Sequence, residues 1–201
     1  MPHPLEDYYD LSARELLDAV NKRFRLKVAL EGAVAEEQFE KKLRGLLDAG
    51  TISGYEHHDK DGYPDFTIWP PEDLPPLKVE VKNVRDSKEA YRQGGEDVAY
   101  KAETQKTRAA TSDKSSRFYN VTEFDLVAVC LGKKTGDWTH FFFVRTDDLE
   151  RHSEYPHKLA TMQRVPLPES MVSTPTLGRD VRPWYEDLEE LLAIIRGEHD
   201  G

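Results

Sequence analysis

The stretch YPDFTIWPPEDLPPLKVEVKN (residues 63–83) decides the fold, because it holds two strand patterns separated by a proline-rich segment. In its second half, Leu77, Val79 and Val81 alternate with charged residues, as in a strand with one buried apolar face. Prolines cannot lie in a central strand, so the segment between the two patterns is predicted to be a loop. The first half, YPDFTIW, is therefore predicted to be the preceding strand.

The charged face of the second strand holds the candidate functional residues. Lys78, Glu80 and Lys82 share that face, and Asp65 and Thr67 share one face of the strand before it. If the two strands are neighbours, Asp65 and Glu80 converge while the apolar residues between them build the core. The alternative is that all these charges point into solvent from an ordinary half-buried strand.

Composition limits the class of protein. The chain has 201 residues, of which 38% are hydrophobic and 33% charged, enough for one well-buried core. It has no apolar run of about 18 residues and no secretory signal pattern, so we expect a soluble cytoplasmic protein. A single cysteine, Cys130, excludes an internal disulfide and a multi-cysteine zinc site. The net charge of −10 counts against a simple nucleic-acid coat, although residues 101–118 carry five Lys or Arg against two acids.

The remaining periodicity predicts a mixed central sheet with helices on both faces. We expect one domain over 1–201, with its core at 33–146, an added N-terminal helix and an added region at 147–201. Helices are predicted at 10–24, 33–49, 97–109 and 184–197. Strands are predicted for TISGYEHH (51–58), YPDFTIW (63–69), LKVEVKNV (77–84), FDLVAVCLG (124–132) and HFFFVRT (140–146).

Converging carboxylates suit one kind of chemistry. Asp65, Glu80 and the backbone carbonyl of Val81 are hard oxygen donors of the type that Mg²⁺ takes, with Mn²⁺ as a second possibility. Lys82, two residues beyond Glu80, can orient or polarise a water near such an ion. This set is typical of sites that hydrolyse phosphodiesters.

The pattern Pro64-Asp65, fourteen residues, then Glu80-Val81-Lys82 resembles the PD-(D/E)xK motif of restriction-endonuclease-like nucleases. The resemblance implies an α/β fold: a helix, a three-stranded antiparallel meander, a second helix and another strand. It also implies a glutamate on the helix before the meander, where FEKKLRGLLDAG (39–50) supplies Glu40. Glu36, one turn earlier on the same face, is an alternative candidate for this glutamate. A second alternative is that these acids only form the solvated face of the helix.

A basic stripe is predicted on the helix at 97–109. Lys101, Gln105 and Arg108 are spaced i, i+4 and i+7, Lys106 lies at their edge, and Arg117 follows in a predicted loop. Such residues contact phosphates in nucleic-acid complexes. The alternative is again a solvated helix face.

Together these patterns predict a Mg²⁺-dependent endodeoxyribonuclease, similar to type II restriction enzymes, that acts on double-stranded DNA. One active site per chain favours a homodimer for cutting both strands. Two alternatives stay open. One is a repair or junction-resolving nuclease without sequence specificity. The other is a non-catalytic DNA-binding module, because two helices followed by a hairpin resemble a winged helix.

Overall fold

The computed structural model describes residues 2–60, 62–71, 74–86, 88–106, 113–168 and 184–199. The chain divides into two compact units, Met1–Val34 and Ala35–Gly201. Among the described residues, no helix is both long enough and apolar enough to cross a bilayer.

The first unit is helical. It contains α1 (Pro4–Tyr9), α2 (Ala13–Asn21) and the first turns of α3 (Phe24–Asp48). Capping boxes begin both short helices: His3 with Glu6 at α1, and Ser12 with Glu15 at α2. The helix predicted at 10–24 is therefore present as the shorter α2, and α3 begins well before the predicted position 33.

The second half of α3 belongs to the larger unit and lies against its sheet. Ala35, Phe39, Leu43 and Leu46 are buried at helical spacing, as the sequence predicts. The helix is followed by Gly50, which has φ of 76° and stops it in the left-handed region that glycine tolerates.

The described residues form eight strands in two sheets. The strands are β1 (Gly54–His57), β2 (Phe66–Trp69), β3 (Leu77–Asn83), β4 (Ala90–Gln93), β5 (Glu96–Glu103), β6 (Leu126–Cys130), β7 (Phe141–Arg145) and β8 (Met162–Val165). The large sheet has the order β1-β2-β3-β6-β7, with β3 and β6 parallel and the other pairs antiparallel. The small sheet has the order β4-β5-β8 and is antiparallel. Two further helices are α4 (Gly132–Thr135) and α5 (Leu188–His199).

The large sheet is covered by different layers on its two faces. On one face, a core cluster joins α3 and α5 to the strands, with Phe39 packed against Phe66 at 5.1 Å between ring centroids. On the other face, a second cluster joins Val127 and Val129 of β6 to Tyr100 of β5 and other residues of the small sheet. The mixed central sheet is confirmed, but the prediction of helices on both faces is wrong. Strand β6 is buried at five consecutive residues, as expected for a strand that is covered on both faces. Such an apolar run does not distinguish a covering helix from a covering sheet.

The helix predicted at 97–109 is wrong over its described part, because Glu96–Glu103 forms strand β5; residues 107–109 lie outside the described residues. Gly94 and Gly95 have φ of 62° and 92° and make the two-residue turn between β4 and β5, with Gln93 paired to Glu96. Positive φ at both positions is what such hairpin turns require, and glycine supplies it most easily. The connection from β3 to β6 thus carries a β-hairpin where the resemblance implied a helix.

Candidate active site

The candidate active site lies where β2 and β3 separate. The two strands pair through Phe66 with Val79, Thr67 with Lys78, and Ile68 with Leu77. One step further, the Asp65 carboxylate accepts the backbone N–H of Val81 at 2.6 Å through Oδ2. A side chain thus takes the place of the next ladder bond, and the strands open at this end.

Glu80 is the buried acid of the site. It is 4% exposed, although the flanking Lys78 on the same face is exposed. Its Oε1 accepts two hydrogen bonds, from Lys82 Nζ at 2.5 Å and from the Tyr119 hydroxyl at 2.5 Å. A buried carboxylate needs such partners, because an unpaired one would be strongly destabilising. Glu80 is therefore held in one orientation by donors from two different elements.

Lys82 stays protonated in this setting. Burial acts to lower the pKa of its ammonium, but the charges of Glu80, Tyr119 and Asp65 outweigh burial and raise the pKa above its usual value. The ammonium also lies 5.4 Å from the centre of the Tyr119 ring. Lys82 can therefore donate hydrogen bonds and stabilise negative charge, but it is not a base at neutral pH.

Asp65 is close enough to Glu80 for their charges to repel. Burial, followed by the negative charge of Glu80, raises the pKa of Asp65 to about 7, while Lys82 and the Val81 N–H act in the opposite direction. Glu36 adds a smaller effect in the same direction as Glu80. The sequence prediction that Asp65 and Glu80 converge is thus consistent with the geometry, and their repulsion would be relieved by a cation between them.

The two candidate glutamates of α3 have different partners. Glu40 accepts hydrogen bonds from Arg44 at 2.9 Å and from the Tyr55 hydroxyl at 3.1 Å, and the Arg44 guanidinium lowers its pKa. Glu36 lies 3.4 Å from His57 Nε2 and is the helix acid whose charge acts on Asp65. The geometry therefore favours Glu36 over Glu40 as the helix residue nearest to the site.

The donor set fits a hard divalent cation. Within the described residues, no group of three or more His, Cys, Asp or Glu side chains is arranged to hold a metal ion. Asp65 and Glu80 supply two carboxylates. The Val81 carbonyl faces the Asp65 edge, because the N–H and C=O of one strand residue share an edge and its N–H bonds Asp65. Two carboxylates and a carbonyl suit Mg²⁺, which keeps several waters in its coordination shell.

The predicted DNA-binding residues do not form one stripe. The Lys106 ammonium lies 5.5 Å from the Tyr119 ring centre and 2.8 Å from Glu123 Oε2, so this cation adjoins the site. Arg117 is exposed, and its backbone carbonyl accepts the Lys106 N–H at 2.8 Å. Lys101 instead lies over the ring of another tyrosine, Tyr91, at 5.1 Å.

Gln105, another member of the predicted stripe, has neutral partners and an acid around it. Gln105 pairs with Phe118 through an isolated bridge and donates its side-chain amide to Glu103. Arg108 lies outside the described residues. Among the described members of the stripe, Lys101 lies in strand β5 and Gln105 follows it, so the helical spacing between these two does not apply.

Tyr119 is the site residue that sequence reasoning missed. It lies in the loop before β6, 39 positions from Glu80. Burial raises the pKa of its hydroxyl above the usual value, with Lys82 opposing and Glu80 adding to the effect, so the hydroxyl stays a donor. The available signal was an aromatic residue with a polar tip, close to Arg117 and just ahead of the most buried strand.

Comparisons with known proteins add a likeness to a solved structure. No protein-family model matches the chain, and no curated protein matches it. Among solved structures, the chain is similar to a bacterial homing endonuclease, I-Ssp6803I, with 16% sequence identity and a TM-score of 0.49. The match covers 86% of this chain and 95% of that one. The chemistry of the site rests on its own side chains.

Proposed function

We propose that the protein is a divalent-metal-dependent deoxyribonuclease that hydrolyses DNA phosphodiester bonds, with Asp65, Glu80 and Lys82 as its catalytic side chains. One observation carries the proposal: two carboxylates and a protonated lysine meet at the open end of β2 and β3, with Glu80 only 4% exposed. A merely solvated strand face would not bury a glutamate and a lysine together.

The protein side chains would divide the work. Asp65, Glu80 and the Val81 carbonyl would hold the metal ion, and Glu36 would add negative charge from α3. When bound, Mg²⁺ supplies a Lewis acid that neutralises charge on the phosphate and lowers the pKa of the attacking water. Lys82 would orient that water and stabilise the charge that develops in the transition state.

Tyr119 would act as a positioning residue in the same reaction. Its hydroxyl and the Lys82 ammonium both donate to Oε1 of Glu80. The other carboxylate oxygen, Oε2, would then be the one that contacts the metal ion. Lys106, next to the Tyr119 ring, and the exposed Arg117, joined to Lys106 through the backbone, would contact the DNA backbone beside the scissile phosphate.

Within this class we favour a type II restriction-like endonuclease that acts on double-stranded DNA as a homodimer, using Mg²⁺ or Mn²⁺. One site per chain supports two copies for a double-strand cut. A repair or junction-resolving nuclease would use the same side chains, and a DNA-binding module would bind without cutting.

The test is cleavage of plasmid and short duplex DNA with Mg²⁺, with and without EDTA. Wild-type protein should cut only with the metal. Asp65→Asn should abolish cutting and keep the fold, whereas Asp59→Asn, an exposed aspartate of the same hairpin, should change nothing. Undiminished cutting in excess EDTA would overturn the mechanism. Binding without cutting under all metal conditions would favour the DNA-binding module, and a fixed fragment pattern would separate restriction from repair.

A further inference from the structure

Most of the exposed apolar surface belongs to the first unit. In the described part of the chain, eleven large apolar side chains are exposed, and nine of them lie in Met1–Val34. The most exposed are Tyr8 and Phe24, at 79% each. The nine are Leu5, Tyr8, Tyr9, Leu11, Leu17, Phe24, Leu26, Val28 and Leu30, which we call the N-terminal patch.

The exposed apolar area of the nine side chains, summed over the faces on which they lie, is of the size that a stable protein interface needs. A fully buried aromatic side chain covers about 150–250 Å², so Tyr8, Tyr9 and Phe24 alone offer on the order of 400 Å². The six aliphatic residues add to this area. Each partner of a typical stable complex buries about 800 Å², whereas the largest apolar patch on a typical monomer is about 300–600 Å².

The short helices need something to pack against. Helix α1 has six residues and α2 has nine, and neither buries a residue, both lying wholly within the described part of the chain. Isolated helices shorter than about 12 residues are marginal in water, and helices in proteins owe their stability chiefly to packing of an apolar face. Capping boxes at both helices help but do not replace that packing.

The start of α3 shows apolar residues on opposite faces. At about 100° per residue, Phe24 and Val28 lie on one side of the helix, and Leu26 and Leu30 lie nearly opposite. All four are at least 42% exposed. A single neighbouring helix can cover only one of these faces, so the other requires a separate surface.

Charge identifies the occupant. Met1–Val34 contains five Lys or Arg and six Asp or Glu, so it is nearly neutral in a chain of net charge −10. A surface for DNA or for anionic lipid would be strongly basic. In α3, Arg25 and Lys27 come first and Glu31 and Glu37 follow, so an antiparallel pair of α3 helices would place cations beside acids. That complementarity is what a two-fold self-association uses.

We propose that the N-terminal patch is the docking surface for a second copy of this chain, with the two α3 helices antiparallel about a two-fold axis. The proposal concerns assembly and does not depend on the nuclease function. It would supply the second active site that a double-strand cut requires.

The experiment measures the mass of the full-length protein by sedimentation velocity and light scattering, without DNA or metal. Wild type should have twice the mass of one 23.1 kDa chain. Leu17→Glu and Phe24→Glu should each raise the dimer dissociation constant by at least about 30-fold, the effect of losing a hot-spot side chain. Leu47→Glu, on the same helix α3 but outside the patch and 40% exposed, is the matched control and should leave the constant unchanged.

Circular dichroism checks that each variant keeps the helix content of the wild type. Glutamate is a good helix former, so the substitutions should not disrupt the helices. A monomeric wild type overturns the proposal, as does a dimer that neither patch variant weakens or that Leu47→Glu weakens equally. Binding of a monomeric wild type to anionic vesicles or DNA, abolished in both patch variants, would also overturn it and assign the patch to that partner. Cleavage assays are separate, so failure of the nuclease proposal leaves these outcomes readable.

Discussion

Replacing Lys82 by alanine would leave a buried acid without its cation. The Lys82 ammonium lies 2.5 Å from Glu80 Oε1, and the Glu80 side chain is 5% exposed. Removing one partner of a buried ion pair costs about 3–5 kcal/mol, since the other charge stays behind unpaired. Lys82 is 19% exposed and the Tyr119 hydroxyl still donates to Glu80, so we expect the lower end, about 3 kcal/mol, in the metal-free protein.

The same change should reduce DNA cleavage by about 10²-fold or more, the usual effect of losing a positioned charge-stabilising group. Lys78 is the matched control, because it lies on the same strand two residues before Glu80 and is exposed. Its backbone, not its ammonium, bonds Asp125 at 2.7 Å, so Lys78→Ala should alter cleavage and stability far less.

A double variant separates the two effects of Lys82. If the stability loss comes from an unpaired Glu80 carboxylate, then Lys82→Ala in a Glu80→Gln background should avoid most of that cost of about 3 kcal/mol. Cleavage should not recover, because the double variant lacks both a metal ligand and the ammonium. Single Lys82→Ala protein should still bind Ca²⁺, since Asp65 and Glu80 remain.

The measurements are urea unfolding of the metal-free variants, single-turnover cleavage rates in Mg²⁺, and Ca²⁺ binding by calorimetry. Equal effects of the two lysine changes on cleavage would show that this face is a generic basic surface. Strictly additive stability losses in the double variant would show that the Glu80–Lys82 pair is not the source of the cost.

Three further outcomes are expected. Tyr119→Phe keeps the ring and removes the hydroxyl, so metal affinity measured by calorimetry should fall by about 10-fold, the scale for a residue that orients a metal ligand; unchanged affinity would contradict its positioning role. Glu36→Gln should weaken metal binding more than Glu40→Gln, because the charge of Glu36 acts on Asp65 whereas Glu40 is paired with Arg44, and the reverse order in the same titration would restore Glu40. Replacing Lys106 and Arg117 together should lower the slope of log affinity against log salt by about 0.9 for each phosphate that the protein no longer neutralises, and an identical slope would assign both cations to solvent.

Strand β3, which holds the proposed catalytic residues, was predictable because its pattern is local. Alternation over Leu77–Asn83 fixes which side chains share a face, and the short connection from β2 makes it reasonable to expect that the two strands pair, as they do. Asp65 and Glu80 therefore follow from the sequence without coordinates. The opening of the strand pair at Val81 does not, because it depends on a side-chain bond replacing a ladder bond.

The segment after β3 shows where local patterns fail. Lys101 and Gln105 are four residues apart, which fits a helix face, but Lys101 lies in the half-buried strand β5 and Gln105 follows its end, so the spacing is a coincidence. The glycine pair at 94 and 95 was the stronger signal, since it predicts a hairpin turn. Tyr119 was beyond reach for a different reason: its bond to Glu80 spans 39 positions and leaves no periodic trace.

The parallel pairing of β3 with β6 has a consequence for how the protein folds. Hairpins such as β1–β2 and β4–β5 close short loops. Pairing of β3 with β6 closes a much longer loop, which contains the β4–β5 hairpin. Non-local parallel pairing is slow to form, so we expect the β3–β6 ladder to limit the folding rate. Tyr119, which precedes β6, reaches Glu80 only in that late step. Until then the chain would hold a hairpin and a helix but no completed catalytic centre, so a nascent or partly folded molecule would be inactive towards DNA.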